Sequence, residues 1–487
     1  MRLPRLLAIA LGVCGLAAGV AAAPGSVAAR PAATGPAGSS VAVSFPGLAD
    51  LAGVADVAVR PGVQHVGRAQ ASPPTTADCE KAYKVACYSP AQIRQAYHLP
   101  AVYAGGVTGR GTTIVIVDSF GSPTIRNDLG AFDRAFGLPA PPSLTIIHPA
   151  GPIPAYDPNS TDMVGWASET TLDVEWAHVV APGARLLLVE TPVSETEGTQ
   201  GFPQIVTAEQ FVLRHHLGDV ISQSFSATER TFPSRASVQA LRGAYQLAAQ
   251  DRVTVLAAAG DSGAADVRLD QTTYYPFPVT SWPDSDPLVT GVGGTQLHFG
   301  ARGQPAAPTV WNDTYNQAAN QFATGNAGPN PLAGGGGKSV LFARPAYQDG
   351  VRNVTGASRG VPDISMSAAC DGAVDTYGTF GGAPAGWSPA CGTSEATPLF
   401  AGIVALADQV AGHPLGLINP ALYRLAAQGA PGIVDVTAGN NTVSYAQAGH
   451  RHTVRGFTAA RGYDLASGVG TVNAAVFVKE LAAAAGR

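Results

Sequence analysis

The sequence predicts an α/β protein with a doubly wound, mostly parallel sheet and helices on both faces. Short apolar segments typical of buried strands alternate with longer segments of helical pattern, and this alternation indicates a parallel sheet. The predicted strands cover residues 112–117, 185–189, 220–222 and 253–256. The predicted helices cover residues 169–180, 207–215 and 236–249. In such folds ligands bind beyond the carboxyl ends of the strands, so we expect the functional residues there.

The composition is that of a folded chain without a nucleic-acid partner. Hydrophobic residues make up 46% of the 487 positions and charged residues only 13%, which excludes a disordered protein. The formal net charge is −5, whereas a nucleic-acid-binding protein is expected to carry a basic surface. The length allows two or three domains at most, at roughly 100–200 residues per domain.

The N-terminus has the pattern of a secretory signal peptide. Arg2 and Arg5 precede an apolar run over residues 6–20, which small residues at 21–23 follow. The run is too short for a membrane span, which needs about 20 apolar residues. We therefore expect residues 1–23 to be a signal peptide and the mature protein to be secreted without a membrane anchor. A buried N-terminal helix is the alternative.

The following segment differs in composition from the rest of the chain. Residues 24–78 are rich in Ala, Gly, Pro and Val and show no sustained helical period, which is typical of a linker or a short pro-segment. Residues 79–487 are then the predicted folded domain.

Four cysteines lie outside the predicted signal peptide, namely Cys79, Cys87, Cys370 and Cys391. An exported protein meets oxidising conditions, so disulfides are expected. Of the three possible pairings we favour the two local ones, Cys79–Cys87 and Cys370–Cys391. The second closes a loop of about 20 residues, which is worth roughly 3 kcal/mol. A zinc site is the alternative, although no CxxC spacing occurs.

The first candidate for chemistry is Ser394, in the segment Gly392-Thr-Ser-Glu-Ala-Thr-Pro398. An apolar helix is predicted over residues 399–407, and Pro398 suits its first turn. Ser394 would then lie just ahead of the helix N-terminus, where free backbone N–H groups can bind an oxyanion. The alternative is that the serine or a neighbouring threonine only caps the helix.

A serine nucleophile needs a base, and two carboxylates are candidates. Glu169 and Asp173 are four residues apart and share one face of a predicted helix. The alternative base is a histidine, for which His178 is the best-placed candidate, but it is about half a turn out of phase with Glu169, and Glu175 also lies off this face. Two acids on one face tend to share a proton. The alternative is an ordinary pair of exposed acids.

Two further acids follow predicted strands. Asp261, in the segment Ala259-Gly-Asp-Ser-Gly263, comes directly after the strand 253–256, at an edge where active-site loops gather. The alternative is a turn in which the aspartate bonds its own backbone. Asp118 follows the apolar strand 112–117 and is either a residue with a supporting role or a turn residue at the strand end.

The glycine run 334–337 precedes Lys338 and Ser339, which suggests a phosphate-binding loop. The Walker pattern requires a glycine where Leu332 stands, so the motif fails. We predict a flexible surface loop that borders a substrate cleft.

Together these segments resemble the sedolisin family, the serine-carboxyl peptidases, from about Cys87 to the C-terminus. Three separated motifs in the same order carry the resemblance: 169–183 (ETTLDVEWAHVVAPG), 259–263 (AGDSG) and 392–398 (GTSEATP). Two further segments support it: 286–295 (DPLVTGVGGT) and 359–365 (RGVPDIS).

The resemblance implies a subtilisin-like fold and a role for each acid. Glu169 would be the general base, Asp173 its orienting partner and Ser394 the nucleophile, while Asp261 would donate to the oxyanion. A carboxylate base with a reference pKa near 4 works in acid, and Asp261 must be protonated to donate. We therefore expect activity at acidic pH that fails above roughly pH 6.

The resemblance also implies one structural Ca²⁺ near the C-terminus. The corresponding residues are Asp435, Val436, Ala460, Gly462 and Asp464. Two carboxylates and backbone carbonyls suit this hard cation, although Ala460 stands where the family usually has glycine. The alternatives are two ordinary surface turns, or a metal held by His450 and His452.

The resemblance leaves several functional alternatives open. Sedolisins usually carry a long folded pro-domain, whereas about 50–60 residues precede Cys87 here, so we expect an unusually short pro-region. We predict a secreted, monomeric endopeptidase that acts on protein or peptide substrates. The alternatives are a tripeptidyl-type exopeptidase and an inactive secreted binding protein of the same fold.

Overall fold

The computed structural model describes residues 70–300, 302–326 and 328–485. The predicted signal peptide, residues 1–23, and most of the predicted linker, 24–78, lie outside this range. The last residues of that linker belong to the folded structure. Gln70 exchanges backbone hydrogen bonds of 2.8 and 2.9 Å with Trp387, and the first helix begins at Thr76.

The described strands, numbered in chain order, are β1 (Cys87–Tyr88), β2 (Thr113–Ser119), β3 (Leu144–Ile147), β4 (Arg185–Thr191), β5 (Val220–Gln223), β6 (Ala227–Thr228), β7 (Thr254–Ala258), β8 (Ser281–Trp282), β9 (Thr290–Phe299), β10 (Pro305–Val310), β11 (Gly337–Ala343), β12 (Ser358–Val361), β13 (Ile364–Ser367), β14 (Ala373–Gly378), β15 (Gly386–Ala390), β16 (Ile433–Val434), β17 (Val443–Gln447), β18 (His450–Val454) and β19 (Thr471–Val472).

The central sheet has eight strands in the order β10-β9-β7-β5-β2-β4-β3, with β13 also paired to β9. All its pairs are parallel except β9 with β10. The carboxyl ends of β2, β4, β5 and β7 therefore meet at one edge. The predicted mostly parallel sheet is confirmed.

The described helices are α1 (Thr76–Tyr83), α2 (Pro90–Ala96), α3 (Leu99–Ala104), α4 (Ile125–Phe136), α5 (Thr161–Val180), α6 (Phe202–Arg214), α7 (Arg235–Leu241), α8 (Gly243–Asp251), α9 (Gln317–Thr324), α10 (Arg352–Thr355), α11 (Thr393–Ala411), α12 (Asn419–Ala427) and α13 (Ala474–Ala485). None of them is both long and apolar enough to cross a membrane.

The single helix predicted over 236–249 is wrong, because the structure has two helices, α7 and α8, that meet at Arg242. The Arg242 side chain turns towards Asp286, whose carboxylate accepts two hydrogen bonds of 2.6 and 2.8 Å from the guanidinium. Gly243 follows at the break, where its low helix propensity favours an interruption.

Hydrophobic cores lie on both faces of the sheet. In β2, Ile114 and Ile116 belong to the core that includes residues of α5 and α11, whereas Val115 and Val117 belong to the core that includes residues of α6 and α8. Alternate residues of a strand point to opposite faces, so the nearly continuous apolar run of β2 reflects burial on both sides. The doubly wound arrangement is thus confirmed.

Helices α5 and α11 approach each other closely at Gly402. A Cβ atom at this position would lie 2.5 Å from Cβ of Val180, far inside normal contact. The absence of a side chain therefore sets the spacing of the two helices that carry the predicted nucleophile and the predicted acid pair.

Both predicted disulfides, Cys79–Cys87 and Cys370–Cys391, are present. The second ties the end of β13 to the residue three positions before Ser394. It therefore constrains the segment that leads into α11.

The glycine run 334–337 is buried, so the predicted flexible surface loop is wrong. The Gly335 N–H donates to Gly260 O at 2.7 Å, and the Ala333 N–H donates to Asp261 O at 2.9 Å. A Cβ at Gly335 would lie 1.8 Å from Ala259 O, so only glycine allows this approach. The run packs directly on the loop that carries Asp261.

Candidate active site

Ser394 lies in the first turn of α11, not ahead of it as predicted, because the helix already begins at Thr393. Pro398 is consequently inside the helix, and its missing N–H leaves Ser394 O without a helical donor. Oγ of Ser224 lies 3.4 Å from this carbonyl, but this contact is weak because the single hydroxyl hydrogen of Ser224 has a closer acceptor. The backbone N–H of Ser394 has no acceptor within the helix, as at every helix start.

The predicted acid pair is completely buried on α5. Glu169 and Asp173 are both 0% exposed. Burial raises the pKa of Asp173 well above its usual value, and the negative charges of Asp118 and Glu169 raise it further. The two acids therefore interact, as their spacing on one helix face predicts.

Ser224 joins the acid pair to the nucleophile. Its hydroxyl donates to Oδ1 of Asp173 at 2.8 Å, and the Ser394 hydroxyl lies 3.4 Å from Ser224 O. This residue is not among those predicted from the sequence. The available signal was its position directly after β5, at the same sheet edge as Asp118.

Asp261 is bound to the residue next to the nucleophile. Its Oδ1 accepts hydrogen bonds of 2.7 Å from the Thr393 N–H and 2.8 Å from the Thr393 hydroxyl. Within the described structure its Oδ2 is buried and has no hydrogen-bond partner. Burial raises the pKa of Asp261 to about 7, although the bonds from Thr393 oppose this shift. Asp261 is therefore protonated in acid, beside Ser394. Thr393 is not among the residues predicted from the sequence, where its only signal is its position beside Ser394.

Asp118 lies behind Asp173, at the end of β2. It is fully buried, and burial together with the negative charge of Glu190 raises its pKa to about 7, while the Thr170 hydroxyl lowers it. Glu190 is its register neighbour on β4 and contacts Nε2 of His148 at 2.7 Å. A row of acidic side chains thus extends from the site across the sheet edge.

The two polar residues predicted to face away from the site do so. His178 has Nε2 2.7 Å from Pro139 O and 3.4 Å from Oδ1 of Asp133, and burial lowers its pKa to about 4. Glu175 accepts a hydrogen bond of 3.2 Å from the Tyr377 N–H. These contacts engage Nε2 of the buried His178 imidazole, and in the described structure no hydrogen bond joins the ring to Ser394.

The predicted calcium ligands lie close together. Oδ2 of Asp435 accepts a 2.9 Å hydrogen bond from the Gly462 N–H, and Oδ2 of Asp464 accepts one of 2.9 Å from the Ala460 N–H. Val436 is buried beside them. In the part of the chain that the structure describes, no group of three or more His, Cys, Asp or Glu side chains could hold a metal ion. His450 and His452 on β18 therefore belong to no such group, and the His452 ring stacks on Tyr445.

The fold and the site together define a subtilase. Residues 148–424, more than half of the chain, match the Subtilase family. A solved structure of Pseudomonas sedolisin, a serine-carboxyl proteinase complexed with two molecules of pseudo-iodotyrostatin, superposes with a TM-score of 0.65 and 25% identity, over 81% of this chain and 97% of that one.

Among the subtilases, the chain is similar to curated relatives of the sedolisin type. Kumamolisin from Bacillus sp. (strain MN-32) is 31% identical over 401 residues, which cover 79% of this chain and 62% of the relative. Sedolisin from Pseudomonas sp. (strain 101) is 27% identical over 424 residues, which cover 85% and 65%. Tripeptidyl-peptidase 1 from Homo sapiens is 28% identical over 329 residues, which cover 64% and 51%. The chain spans less than two thirds of the length of these relatives. It belongs to the subtilase family, in the sedolisin branch.

Proposed function

We propose that the protein is a serine-carboxyl endopeptidase that hydrolyses peptide bonds at acidic pH. The observation that carries the proposal is the connection of two buried acids to a serine: Asp173, beside Glu169, reaches Ser394 through Ser224. The imidazole of His178, on the same helix, is bound elsewhere. The relatives named kumamolisin and sedolisin support the same activity.

The proposed reaction moves one proton between serine and acid. Oγ of Ser394 attacks the scissile carbonyl while Glu169 accepts its proton, and the C–N bond breaks as Glu169 returns that proton to the leaving amine. Asp173 orients Glu169. The protonated Oδ2 of Asp261 and the Ser394 N–H donate to the oxyanion. Water then attacks the acyl-enzyme by the reverse route and restores Ser394.

The decisive variants remove the nucleophile and the base separately. We expect Ser394→Ala and Glu169→Gln to lower kcat for a protein substrate at pH 4 by roughly 10⁴-fold or more. The residues of a catalytic unit act together, so the loss of one costs nearly as much as the loss of all. The matched control is Glu175→Gln, a buried acid on the same helix that faces Tyr377 and is expected to keep kcat within about threefold. Full activity in Glu169→Gln would contradict the proposal.

The mode of cleavage has a second candidate, because several relatives are named tripeptidyl-peptidases. An N-terminally acetylated protein separates the two modes. An endopeptidase cleaves it internally, whereas an exopeptidase that needs a free N-terminus leaves it intact.

We also propose that Asp435 and Asp464, with the backbone carbonyls of Val436, Ala460 and Gly462, hold one Ca²⁺. The donor set fits this ion, because it consists only of carboxylate and carbonyl oxygens. The Gly462 N–H donates to Oδ2 of Asp435 at 2.9 Å, which supports the proposal because it brings the loop 460–464 next to this carboxylate. The bound ion would join this loop to the segment after β16.

Export is proposed on two grounds. The N-terminal residues have the pattern of a signal peptide, and the two disulfides require an oxidising compartment.

A further inference from the structure

A pocket of about 360 Å³ opens at the carboxyl ends of β2, β3 and β4, next to the start of α5. Most of its lining is apolar, and its ionisable side chains are Glu190, His148 and Tyr156. The lining residues used below are Phe120, Ile146, His148, Ile153, Met163 and Glu190.

The pocket lies beside the proposed catalytic acids. Glu190 is the register neighbour of Asp118, whose charge acts on Asp173. Met163 precedes Glu169 by six residues on α5, which corresponds to about 9 Å along the helix axis. An extended peptide advances about 3.3 Å per residue, so two or three substrate residues cover the length of helix between Met163 and Glu169.

The pocket has the size and chemistry for an aromatic side chain with a polar end. Its volume lies in the range of small-molecule sites, about 300–1,000 Å³. Glu190 uses Oε2 for the 2.7 Å contact with His148, and in either protonation state its carboxyl keeps further acceptor capacity. A Cβ at Gly121 would lie 1.8 Å from Oε1 of Glu190, so this glycine makes room for the carboxyl group.

One wall of the pocket is held in place. The Tyr156 hydroxyl, in the loop between β3 and α5, donates to Gly381 O at 2.6 Å. This bond connects the loop to the β14–β15 hairpin and so restrains the wall of the pocket to which Tyr156 belongs.

We propose that this pocket binds a substrate side chain two or three residues from the scissile bond, and that it favours tyrosine over phenylalanine because the phenol reaches Glu190. The inference rests on the proposed peptidase function. The apolar walls account for the binding of the ring, and Glu190 distinguishes the two residues by their single hydroxyl.

The test is a set of acetylated peptides in which Tyr, Phe or Ala is placed in turn at each position around one cleavage site. For the wild type we expect one position, two or three residues from the bond, at which kcat/KM exceeds that of Ala at least tenfold for both aromatics. Tyr should exceed Phe there by about fivefold, the effect of one hydrogen bond of about 1 kcal/mol.

Two variants change these ratios in different ways. Ile153→Trp fills the pocket and should bring the Phe-to-Ala ratio close to one. Glu190→Met removes the acceptor and should bring the Tyr-to-Phe ratio to one or below while the Phe-to-Ala ratio remains. A substitution that changes the chemical step changes kcat/KM by the same factor for all peptides, so the ratios between peptides measured on one variant are unaffected. Val410→Trp, on the exposed face at the end of α11, is the matched control and should keep both ratios.

Binding of the same peptides to Ser394→Ala separates the two proposals. Wild-type cleavage without aromatic preference, or an unchanged preference in Ile153→Trp, overturns the pocket assignment alone. If Ser394→Ala binds the Tyr peptide preferentially and the added substitution Ile153→Trp abolishes this preference, the pocket assignment is supported. This holds even if the wild type cleaves nothing, since the lack of cleavage would contradict only the peptidase function. Equal binding of the Tyr, Phe and Ala peptides overturns the pocket assignment.

Discussion

The two carboxyl oxygens of Asp261 have unequal surroundings, and this difference decides where its proton lies. Oδ1 accepts from both the N–H and the hydroxyl of Thr393, so it cannot also carry a proton without losing a bond. Oδ2 is buried and has no partner within the described residues. With a pKa of about 7, the protonated acid therefore carries its hydrogen on Oδ2 at the pH of the proposed reaction.

The first prediction concerns the alkaline limit of activity. The donor form of Asp261 exists below its pKa, so kcat/KM should fall tenfold per pH unit above about pH 7, and not from the roughly pH 6 expected from the sequence. Asp261→Asn keeps an acceptor for Thr393 and carries an N–H donor at every pH. We expect this variant to remain active and to lose the alkaline limb. Asp261→Ala should lose activity about 10²–10³-fold at all pH values.

The measurement is the pH dependence of kcat/KM for one peptide between pH 3 and pH 9. An alkaline limb that stays in place in Asp261→Asn would show that another group sets it, and the role given to Asp261 would be wrong.

At the scale of elements, the packing of α5 against α11 sets the distance between acid and serine. We expect Gly402→Ala to lower the free energy of unfolding by about 1–3 kcal/mol, because the new methyl group would meet Val180. It should also lower kcat/KM at temperatures where the variant is fully folded, since Ser394 moves relative to Glu169. The matched control is Gly350→Ala, where no atom lies within 4 Å of the new Cβ.

Denaturant titration and peptide kinetics on both variants are sufficient for this test. If Gly402→Ala equals the wild type in both measurements, the close approach of the two helices does not control the site.

The loop 460–464 gives a second prediction at this scale. Chelator-treated protein should unfold at a lower temperature, and added Ca²⁺ should restore the Tm in a saturable way, because a ligand that binds only the folded state stabilises it. Asp435→Asn should weaken this response at least tenfold in Ca²⁺ concentration, whereas Asp349→Asn, an exposed acid elsewhere, should leave it unchanged. A Tm that is independent of Ca²⁺ in the wild type would contradict the calcium site.

The elements also show what the sequence could and could not predict. Apolar runs and helical spacing predicted β2, α5 and the acid pair, because these signals lie within one element. The contact between Ser224 and Asp173 spans 51 positions, and it depends on how β5 is placed against α5. The start of α11 was predicted too late, because Pro398 was expected in the first turn, whereas the helix begins five residues earlier, at Thr393. The glycine run 334–337 was predicted as exposed, because composition alone does not show which backbone lies against it.

Across the whole molecule, buried carboxyl groups without a basic partner are common. Burial raises the pKa to about 7 in Asp118, Asp133 and Asp261, and to about 8 in Glu195, Glu209 and Asp408. Of these six, only Asp133 has a basic nitrogen within 4.0 Å in the described structure, that of His178. The fold therefore retains protons that a solvated acid would release.

Because the folded protein retains these protons, its free energy of unfolding is expected to decrease as the pH rises. Each of these groups has a folded-state pKa above the unfolded value near 4, so its contribution to stability is complete below about pH 4 and is lost as the pH rises towards 7–8. The loss is at most about 1.4 kcal/mol per group and pH unit. His178 acts in the opposite sense, because burial lowers its pKa to about 4. The acids outnumber it, so the folded protein is expected to be most stable in acid.

The last prediction isolates one of these acids away from the proposed site. Glu209, on α6, accepts a hydrogen bond from the Gln223 amide, and a glutamine at 209 can accept the same bond. In a Ser394→Ala background, which prevents self-digestion, we expect Glu209→Gln to be nearly neutral at pH 4, where it replaces a protonated acid. At pH 7.5 it should raise the free energy of unfolding by about 2–4 kcal/mol, because the wild type must then keep a proton or bury a charge. Denaturant titration at both pH values measures this, with the exposed Glu80→Gln as control. A gain of equal size at pH 4 would show that the effect comes from packing, and the acid stability would need another cause.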